Sequence, residues 1–181
     1  MNVIACDIEG PLILEPKVFG DARGFFLESW NAASFAEIGL DVTFVQDNHS
    51  RSQKGVLRGM HFQNPAPQGK LVRVVRGAVF DAIVDLRQSS PTFGQWTGVV
   101  LSAENKRMFW VPEGFAHGFL VLSDTATFFY KCDNFYNKES EGGILFNDST
   151  IGVDWNFDTE KLIISEKDKF LPTLANAKKA W

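Results

Sequence analysis

The chain has 181 residues, 45% of them hydrophobic and 22% charged, which is typical of one folded domain rather than a disordered chain. Its net charge of −4 at pH 7 lacks the basic excess that non-specific nucleic-acid binding requires, and no run approaches the roughly 18 apolar residues of a membrane span. We therefore expect a single domain over residues 1–181 with neither nucleic acid nor membrane as partner.

Two features favour a cytoplasmic location. The N-terminus carries acidic residues and a proline where a secretory signal would have basic residues and a longer apolar core. The two cysteines, Cys6 and Cys132, are far apart and form no CxxC pair, so we expect free thiols in a reducing compartment.

Short β-type runs separated by turn signals follow one another along the chain. A short helix is predicted over 31–39, where Asn31 is a capping residue and Gly39 a stop. Strands are predicted over 42–46, 70–75, 78–86, 96–102, 107–112, 117–123 and 126–136, with a further β-type run over 55–63. A second short helix is expected at 165–170 with Ser165 as its cap, and the end of the chain, about 171–181, is expected to be a loosely held tail. This pattern predicts an all-β sandwich or barrel with a few short helices.

Several motifs that would define a reaction are missing. The sequence has no Walker loop, no GxGxxG and no GxSxG. Phosphoryl transfer by a P-loop, dinucleotide redox chemistry and α/β-hydrolase chemistry therefore lack their usual motifs.

A metal site is one interpretation of the histidines. Metal-binding cupins use a close HxH pair on one strand, but the residue two places after His61 is Gln63. The later stretch "PEGFAH", ending at His117, does resemble the second cupin motif. These two histidines supply fewer ligands than a transition-metal site normally has, so a metal site is the less favoured interpretation.

Polar residues collect around the run "GVLRGMHFQ". Arg58, His61 and Lys70 fall within thirteen residues, and the preceding run supplies Gln46, Asp47 and Asn48. Lys70 shares the strand parity of two valines, so it either has a partner or ligand on an apolar face, or lies at a strand end with its ammonium in water.

Strand parity raises a difficulty for a shared site. Strict alternation places Arg58 and His61 on opposite faces, so both can serve one site only if the strand bulges, and Gly59 is a plausible position for that bulge. Tyr130 shares parity with Phe128 and Cys132, and is either a core tyrosine or a proton donor in a pocket.

Taken in order, five stretches resemble the dTDP-4-dehydrorhamnose 3,5-epimerase family over residues 9–170. They are "EPKVFGDARGFFLESWN", "FVQDNHSRSQKGVLRGMHFQ", "PQGKLVRVVRGAVFDAIVDLRQSSPTFGQW", "FWVPEGFAHGFLVLS" and "SEKD". The resemblance implies a cupin-like jelly roll, built as a homodimer that exchanges N-terminal strands. It also implies a dTDP-4-keto-6-deoxyhexose substrate inverted at C3 and C5, with no metal and no organic cofactor.

The same resemblance assigns roles to individual residues. It implies His61 as base, Tyr130 as acid on the opposite face, Asp168 as the partner that orients His61, and Lys70 as the group that steadies the enolate. The remaining substrate-contact positions that it implies are Arg23, Glu28, Gln46, Asp47, Asn48, Arg58, His117, Glu141 and Lys167. Phe19, Phe26 and Tyr136 are all candidates for stacking on thymine.

Departures from the family pattern are few. Gly69 stands where the family has alanine, and Gly142 stands where an arginine often follows the glutamate. Neither replaces the expected base or acid. Three alternatives stay open: inversion at only one carbon in a specialised deoxysugar pathway, a metal-dependent cupin enzyme, and a sugar-nucleotide-binding domain without catalysis.

Overall fold

Antiparallel pairing organises the chain in the computed structural model, which describes residues 1–179 and 181. The first sheet runs in the order β1 (Asn2–Ala5), β2 (Leu12–Glu15), β10 (Met108–Val111), β7 (Lys70–Arg76), β12 (Thr125–Cys132) and β5 (Gln46–Gln53). The second runs β13 (Glu141–Gly143), β6 (Val56–Gln63), β11 (Phe115–Val121), β8 (Ala78–Asp85) and β9 (Trp96–Ser102), and β14 (Ile163–Ile164) adds to β6 in parallel. A separate hairpin joins β3 (Val18–Asp21) to β4 (Gly24–Leu27).

Strand β11 shows how the layers pack, because all of its residues are buried. Phe115 and Phe119 point into the core between the two sheets, where they meet Val72 and Phe128 of the first sheet. Leu120 and its neighbours on the opposite face pack against a second core that the C-terminal third of the chain covers. Burial of each such side chain contributes about 1.5–3 kcal/mol. The predicted all-β sandwich is therefore confirmed.

Both predicted helices are present and shorter than expected. In α1 (Ala32–Ala36) the Asn31 side chain accepts hydrogen bonds from two backbone N–H groups, and Gly39 follows at a φ of +84°. In α2 (Glu166–Lys169) the hydroxyl of Ser165 accepts from the N–H of Asp168. Two 3₁₀ turns, Lys138–Ser140 and Thr159–Lys161, complete the helical structure of the described residues.

The strand prediction over 42–46 is wrong, whereas most others match to within a few residues. Residues 42–45 form no strand, and β5 begins at Gln46. Phe44 instead packs edge-on against Trp30 and Trp110, over the outer face of the first sheet. An apolar run that covers a sheet and one that lies within a sheet have the same local pattern, so only tertiary packing separates them. The run expected to extend to residue 136 ends at Cys132.

The C-terminal segment is held more firmly than expected. The backbone N–H of Leu174 donates to Asp148 at 2.6 Å, and the Trp181 ring lies 5.7 Å from Phe62. Leu174, Ala177 and Trp181 pack against the second core. The expected loose tail is thus anchored in its described part; Ala180 lies outside the described residues.

None of the helices in residues 1–179 and 181 has the length and hydrophobicity that a membrane-spanning segment requires.

Candidate active site

A cavity of about 480 Å³ lies between the two sheets. Its polar lining comes from strands of both sheets and from α2. These residues are Ser50, Arg58, His61, Lys70, His117, Tyr130, Ser165, Lys167 and Asp168.

His61 and Asp168 form the shortest polar contact in this lining. The distance from His61 Nε2 to Asp168 Oδ1 is 2.6 Å. The Asp168 side chain is 5% exposed and the His61 ring 38% exposed, so the carboxylate is enclosed while the ring faces the cavity. The second oxygen of Asp168 accepts from the Gly59 N–H at 3.4 Å.

These contacts keep Asp168 ionised. Burial alone would raise the pKa of Asp168, but the hydrogen bond and charge of His61, with the Gly59 and Ser165 donors, hold that pKa below its usual value. An ionised carboxylate only accepts, so Nε2 carries the proton of this contact, and Nδ1 is the ring nitrogen that is basic whenever the ring is neutral.

A bulge in β6 brings Arg58 and His61 to the same cavity. His61 pairs with His117 on β11, but Arg58 pairs with Phe119, so three steps on β6 match two on β11. Gly59 lies in this bulge at a φ of +123°, and a Cβ there would lie 2.6 Å from Gly118 Cα. The predicted bulge at Gly59 is therefore confirmed. The Arg58 guanidinium donates to the hydroxyl of Ser52 at 3.1 Å.

Tyr130 lies on the opposite wall from His61, because β12 belongs to the first sheet and β6 to the second. Its ring centroid is 5.8 Å from that of Phe128. Burial raises the pKa of Tyr130, helped by Cys132 and opposed by the Arg58 charge, so the phenol stays protonated near neutral pH. It can therefore donate a proton from the wall that faces the imidazole.

Lys70 is the first residue of β7, and its side chain lines the cavity. It forms no ion pair within the part of the chain that the structure describes. Burial lowers the pKa of Lys70, and the charges of Cys132, Asp81 and Asp133 act against that shift. Lys70 thus lies at a strand end, as one alternative predicted, but burial removes its ammonium from water; the partner or ligand of the other alternative is not seen in the described chain.

His117 is buried and bonded to an aspartate that the sequence analysis missed. Its Nε2 lies 2.9 Å and 3.0 Å from the two carboxylate oxygens of Asp81, which is fully buried on β8. Burial raises the pKa of Asp81, while His117 and Lys70 oppose that rise. The sequence contained a signal for this residue, since Asp81 lies between Val79 and Ile83 in the alternation of the strand and so falls on the same face as two apolar residues.

The other expected contact residues divide by strand face. On β5, Gln46 and Asn48 point inwards and are bonded to each other, whereas Asp47 points outwards and pairs with Lys131 at 2.9 Å. None of these three residues lines the cavity around His61, and Asp47 also lies on the opposite face of the strand. Lys167, on the cavity wall, forms an ion pair with Glu141 of β13.

Arg23 and Glu28 are also outside this cavity. The Arg23 side chain is 90% exposed at the tip of the β3–β4 hairpin and pairs with Asp21. Glu28 accepts from Asn31 and Ser34 beside α1. Within one chain, neither reaches the residues around His61.

No three His, Cys, Asp or Glu side chains come together as a metal-ligand group in residues 1–179 and 181. The two cavity histidines are each bonded to a different carboxylate.

A two-sheet sandwich whose cavity is lined by a histidine–aspartate pair, a facing tyrosine and a lysine is the architecture of a cupin-like enzyme. The family of dTDP-4-dehydrorhamnose 3,5-epimerases matches residues 5–176. The chain belongs to this family of isomerases.

Individual relatives agree with the family assignment. The dTDP-4-dehydrorhamnose 3,5-epimerase of Shigella flexneri is 61% identical over 170 residues, 93% of each chain. The 3,5-epimerase of Legionella pneumophila, solved in complex with dTDP-4-keto-L-rhamnose, superposes with a TM-score of 0.94 at 53% identity, over 97% of this chain and 93% of that one. ChmJ, a 3'-monoepimerase from Streptomyces bikiniensis solved with dTDP-quinovose, has a TM-score of 0.88 at 36% identity, over 94% and 86% of the two chains.

Proposed function

We propose that this protein inverts C3 and C5 of dTDP-4-dehydro-6-deoxy-D-glucose to give dTDP-4-dehydro-L-rhamnose, a step in dTDP-L-rhamnose biosynthesis. The observation that carries the proposal is the placement of His61, bonded to Asp168, and Tyr130 on opposite walls of one cavity. Inversion at carbon requires proton removal on one face and return on the other, and two facing groups meet that requirement.

His61 acts as the base in this mechanism. Both C3 and C5 adjoin the C4 ketone, which acidifies their C–H bonds. Nδ1 of His61 removes the proton while the C–H electron pair forms an enolate with its charge on the C4 oxygen. Asp168 holds the tautomer and stabilises the imidazolium that results.

Lys70 and Arg58 supply positive charge near the developing oxyanion. In a cavity shielded from water, a fixed cation stabilises an enolate more strongly than it would in solution. The same sequence of steps runs once at each carbon.

Tyr130 completes each inversion by giving its hydroxyl proton to the opposite face of the carbon. The enolate collapses back to the ketone. The phenolate then takes a proton from solvent and the His61 imidazolium releases its proton to solvent, so both groups are ready for the second carbon. A reference tyrosine pKa of about 10 makes this a weak acid, and a basic enolate suits it. With solvent as the final donor and acceptor of protons, the steps balance without any other reactant, so we propose that no metal or organic cofactor takes part.

The remaining residues are proposed to contact the nucleotide part of the substrate or to line the rim of the site. We propose Gln46, Asn48, His117, Glu141 and Lys167 as substrate contacts within one chain. Arg23 and Glu28 lie away from this chain's cavity, so they serve a substrate only if the N-terminal segment reaches a second copy.

A homodimer with exchanged N-terminal strands provides that arrangement. The β3–β4 hairpin exposes Phe19, Phe25 and Phe26 at 53%, 64% and 68%, which is costly for a monomer in water. Sedimentation equilibrium tests this proposal, since a monomer at micromolar concentration would contradict it.

We further propose a cytoplasmic location, in keeping with two free cysteines.

Inversion at a single carbon is a second candidate, because the 3'-monoepimerase ChmJ shares the fold. Proton NMR of the protein with dTDP-4-keto-6-deoxyglucose in D₂O separates the two. Loss of both the C3 and C5 proton signals supports the double epimerase. Loss of one signal identifies a single-site enzyme, and loss of neither, with folded protein, contradicts the proposed function.

A further inference from the structure

The backbone that precedes Lys70 is bonded to an aspartate outside the proposed mechanism. Gly69 donates its N–H to Asp133 Oδ1 at 2.7 Å, and Asp133 donates its own N–H to the carbonyl of Gly69 at 3.2 Å. Asp133 directly follows Cys132, the register partner of Lys70 at the end of the β7–β12 ladder. Asp133 thus binds both backbone polar groups of Gly69: its side chain accepts from the N–H, and its backbone donates to the carbonyl.

The Asp133 carboxylate also occupies the space beside Gly69. A Cβ at position 69 would lie 2.4 Å from Asp133 Oδ2 and 2.7 Å from the ring of Trp110. Real Cβ contacts are essentially never that short, so with a Cβ at position 69 the Asp133 carboxylate or the Trp110 ring would have to shift. Adjacent bonds reinforce the segment, because Gln68 donates to the carbonyl of Asn134 at 2.7 Å.

Lys70 has no ion-pair partner of its own in the described chain, so nothing at its ammonium fixes its direction. An unrestrained lysine side chain samples many rotamers. The position from which the side chain enters the cavity is set by the backbone at residues 69 and 70.

We propose that Asp133 is a positioning residue that fixes the backbone at Gly69 and so aims Lys70 into the cavity. The proposal rests on the proposed function, in which Lys70 stabilises the enolate. Asp133 touches no reacting atom and acts through the hydrogen bond to Gly69. Around this carboxylate, Lys70 contributes positive charge and Glu113, in the turn between β10 and β11, contributes negative charge.

Three variants distinguish positioning from charge. Asp133→Asn keeps an acceptor for the Gly69 N–H and removes the charge. Asp133→Ala removes the acceptor, and Asp133→Glu keeps the charge but displaces the acceptor by one methylene. We expect kcat to fall about 10–100-fold in the Ala and Glu variants with KM nearly unchanged, and to recover most of its value in Asp133→Asn. If Asp133→Ala does not fold, the values of kcat for Asp133→Asn and Asp133→Glu decide between positioning and charge. An active Asp133→Glu variant together with an inactive Asp133→Asn variant overturns the proposal.

A double-mutant cycle with Lys70 then tests the route of the effect. In a Lys70→Ala background, Asp133→Ala should lower kcat no further. An equal loss in both backgrounds shows that Asp133 acts independently of Lys70 and overturns the proposal. Wild-type deuterium exchange at C3 and C5 is measured first. Its absence refutes the proposed function, whereas its presence with an unaffected Asp133→Ala variant refutes only the positioning role.

Discussion

His61 and Asp168 are 107 residues apart in the sequence, yet His61 Nε2 lies 2.6 Å from Asp168 Oδ1. β14 pairs in parallel with β6, Ile163 opposite Val56 and Ile164 opposite Leu57. The chain continues directly into Ser165 and α2, and this places the Asp168 carboxylate beside the His61 imidazole.

Replacing Asp168 with asparagine should lower kcat by about 10²–10⁴-fold. The amide would donate to Nε2 through its NH₂ group, which places the ring proton on Nδ1 and removes the base. The rate of deuterium exchange at C3 and C5 measures the effect. Glu166→Gln on the same helix is a matched control, since its side chain is 78% exposed and should leave the rate unchanged. A near wild-type rate in Asp168→Asn would remove Asp168 from the mechanism.

Replacing Tyr130 with phenylalanine should separate exchange from inversion. The base on the facing wall still removes and returns protons, so deuterium enters the substrate while its configuration is kept. NMR of the recovered sugar nucleotide reads both outcomes from one sample. Tyr136→Phe changes the only other tyrosine in the chain and should retain inversion. Full inversion by Tyr130→Phe would show that another group donates the proton.

Replacing Gly59 with alanine should destabilise the protein more than the same change at Gly24. Both glycines have a strongly positive φ, +123° and +131°, but a Cβ at Gly24 would meet nothing within 4 Å. Backbone strain costs about 1–2 kcal/mol at either site, and the contact with Gly118 adds to it only at Gly59. Urea unfolding of the two variants measures the difference. Equal losses would show that the bulge tolerates a side chain.

Replacing Asp85 with alanine should lower the free energy of unfolding by about 3–5 kcal/mol at pH 7. The buried carboxylate accepts from Arg87, Ser90 and Thr92. Burial alone would raise its pKa, but these bonds hold that pKa at about 2.

The Asp85 effect should depend on pH in a defined direction. Because the folded pKa lies below the unfolded value, the stabilisation is complete above about pH 4 and is lost as the pH falls from 4 towards 2. Melting temperatures of wild type and Asp85→Ala should therefore converge in acid. If the difference in melting temperature between the two proteins were the same at pH 3 and pH 7, the loss of stability would come from packing and not from the charge of the carboxylate.

Local pattern predicted much of the sandwich because strand alternation and turn residues are short-range signals. It failed at Phe44, where an apolar run covers a sheet without joining one. The bulge at Gly59 could be inferred because parity would otherwise separate Arg58 from His61. Asp81 was not predicted from the sequence, although its position between Val79 and Ile83 in the alternation of the strand indicated a buried acid. The positions of Arg23 and Glu28 relative to a cavity depend on chain assembly, which strand periodicity does not encode.

The attachment of β14 to β6 has a consequence for motion. His61, the proposed base, lies on the second sheet, and Asp168 lies on the helix that follows β14 of that sheet, whereas Tyr130, the proposed acid, lies on the first sheet. A breathing motion between the sheets would change the distance from His61 to Tyr130 and leave the His61–Asp168 distance intact. The proposed acid can therefore be displaced relative to the proposed base without breaking the contact that holds the His61 ring in place.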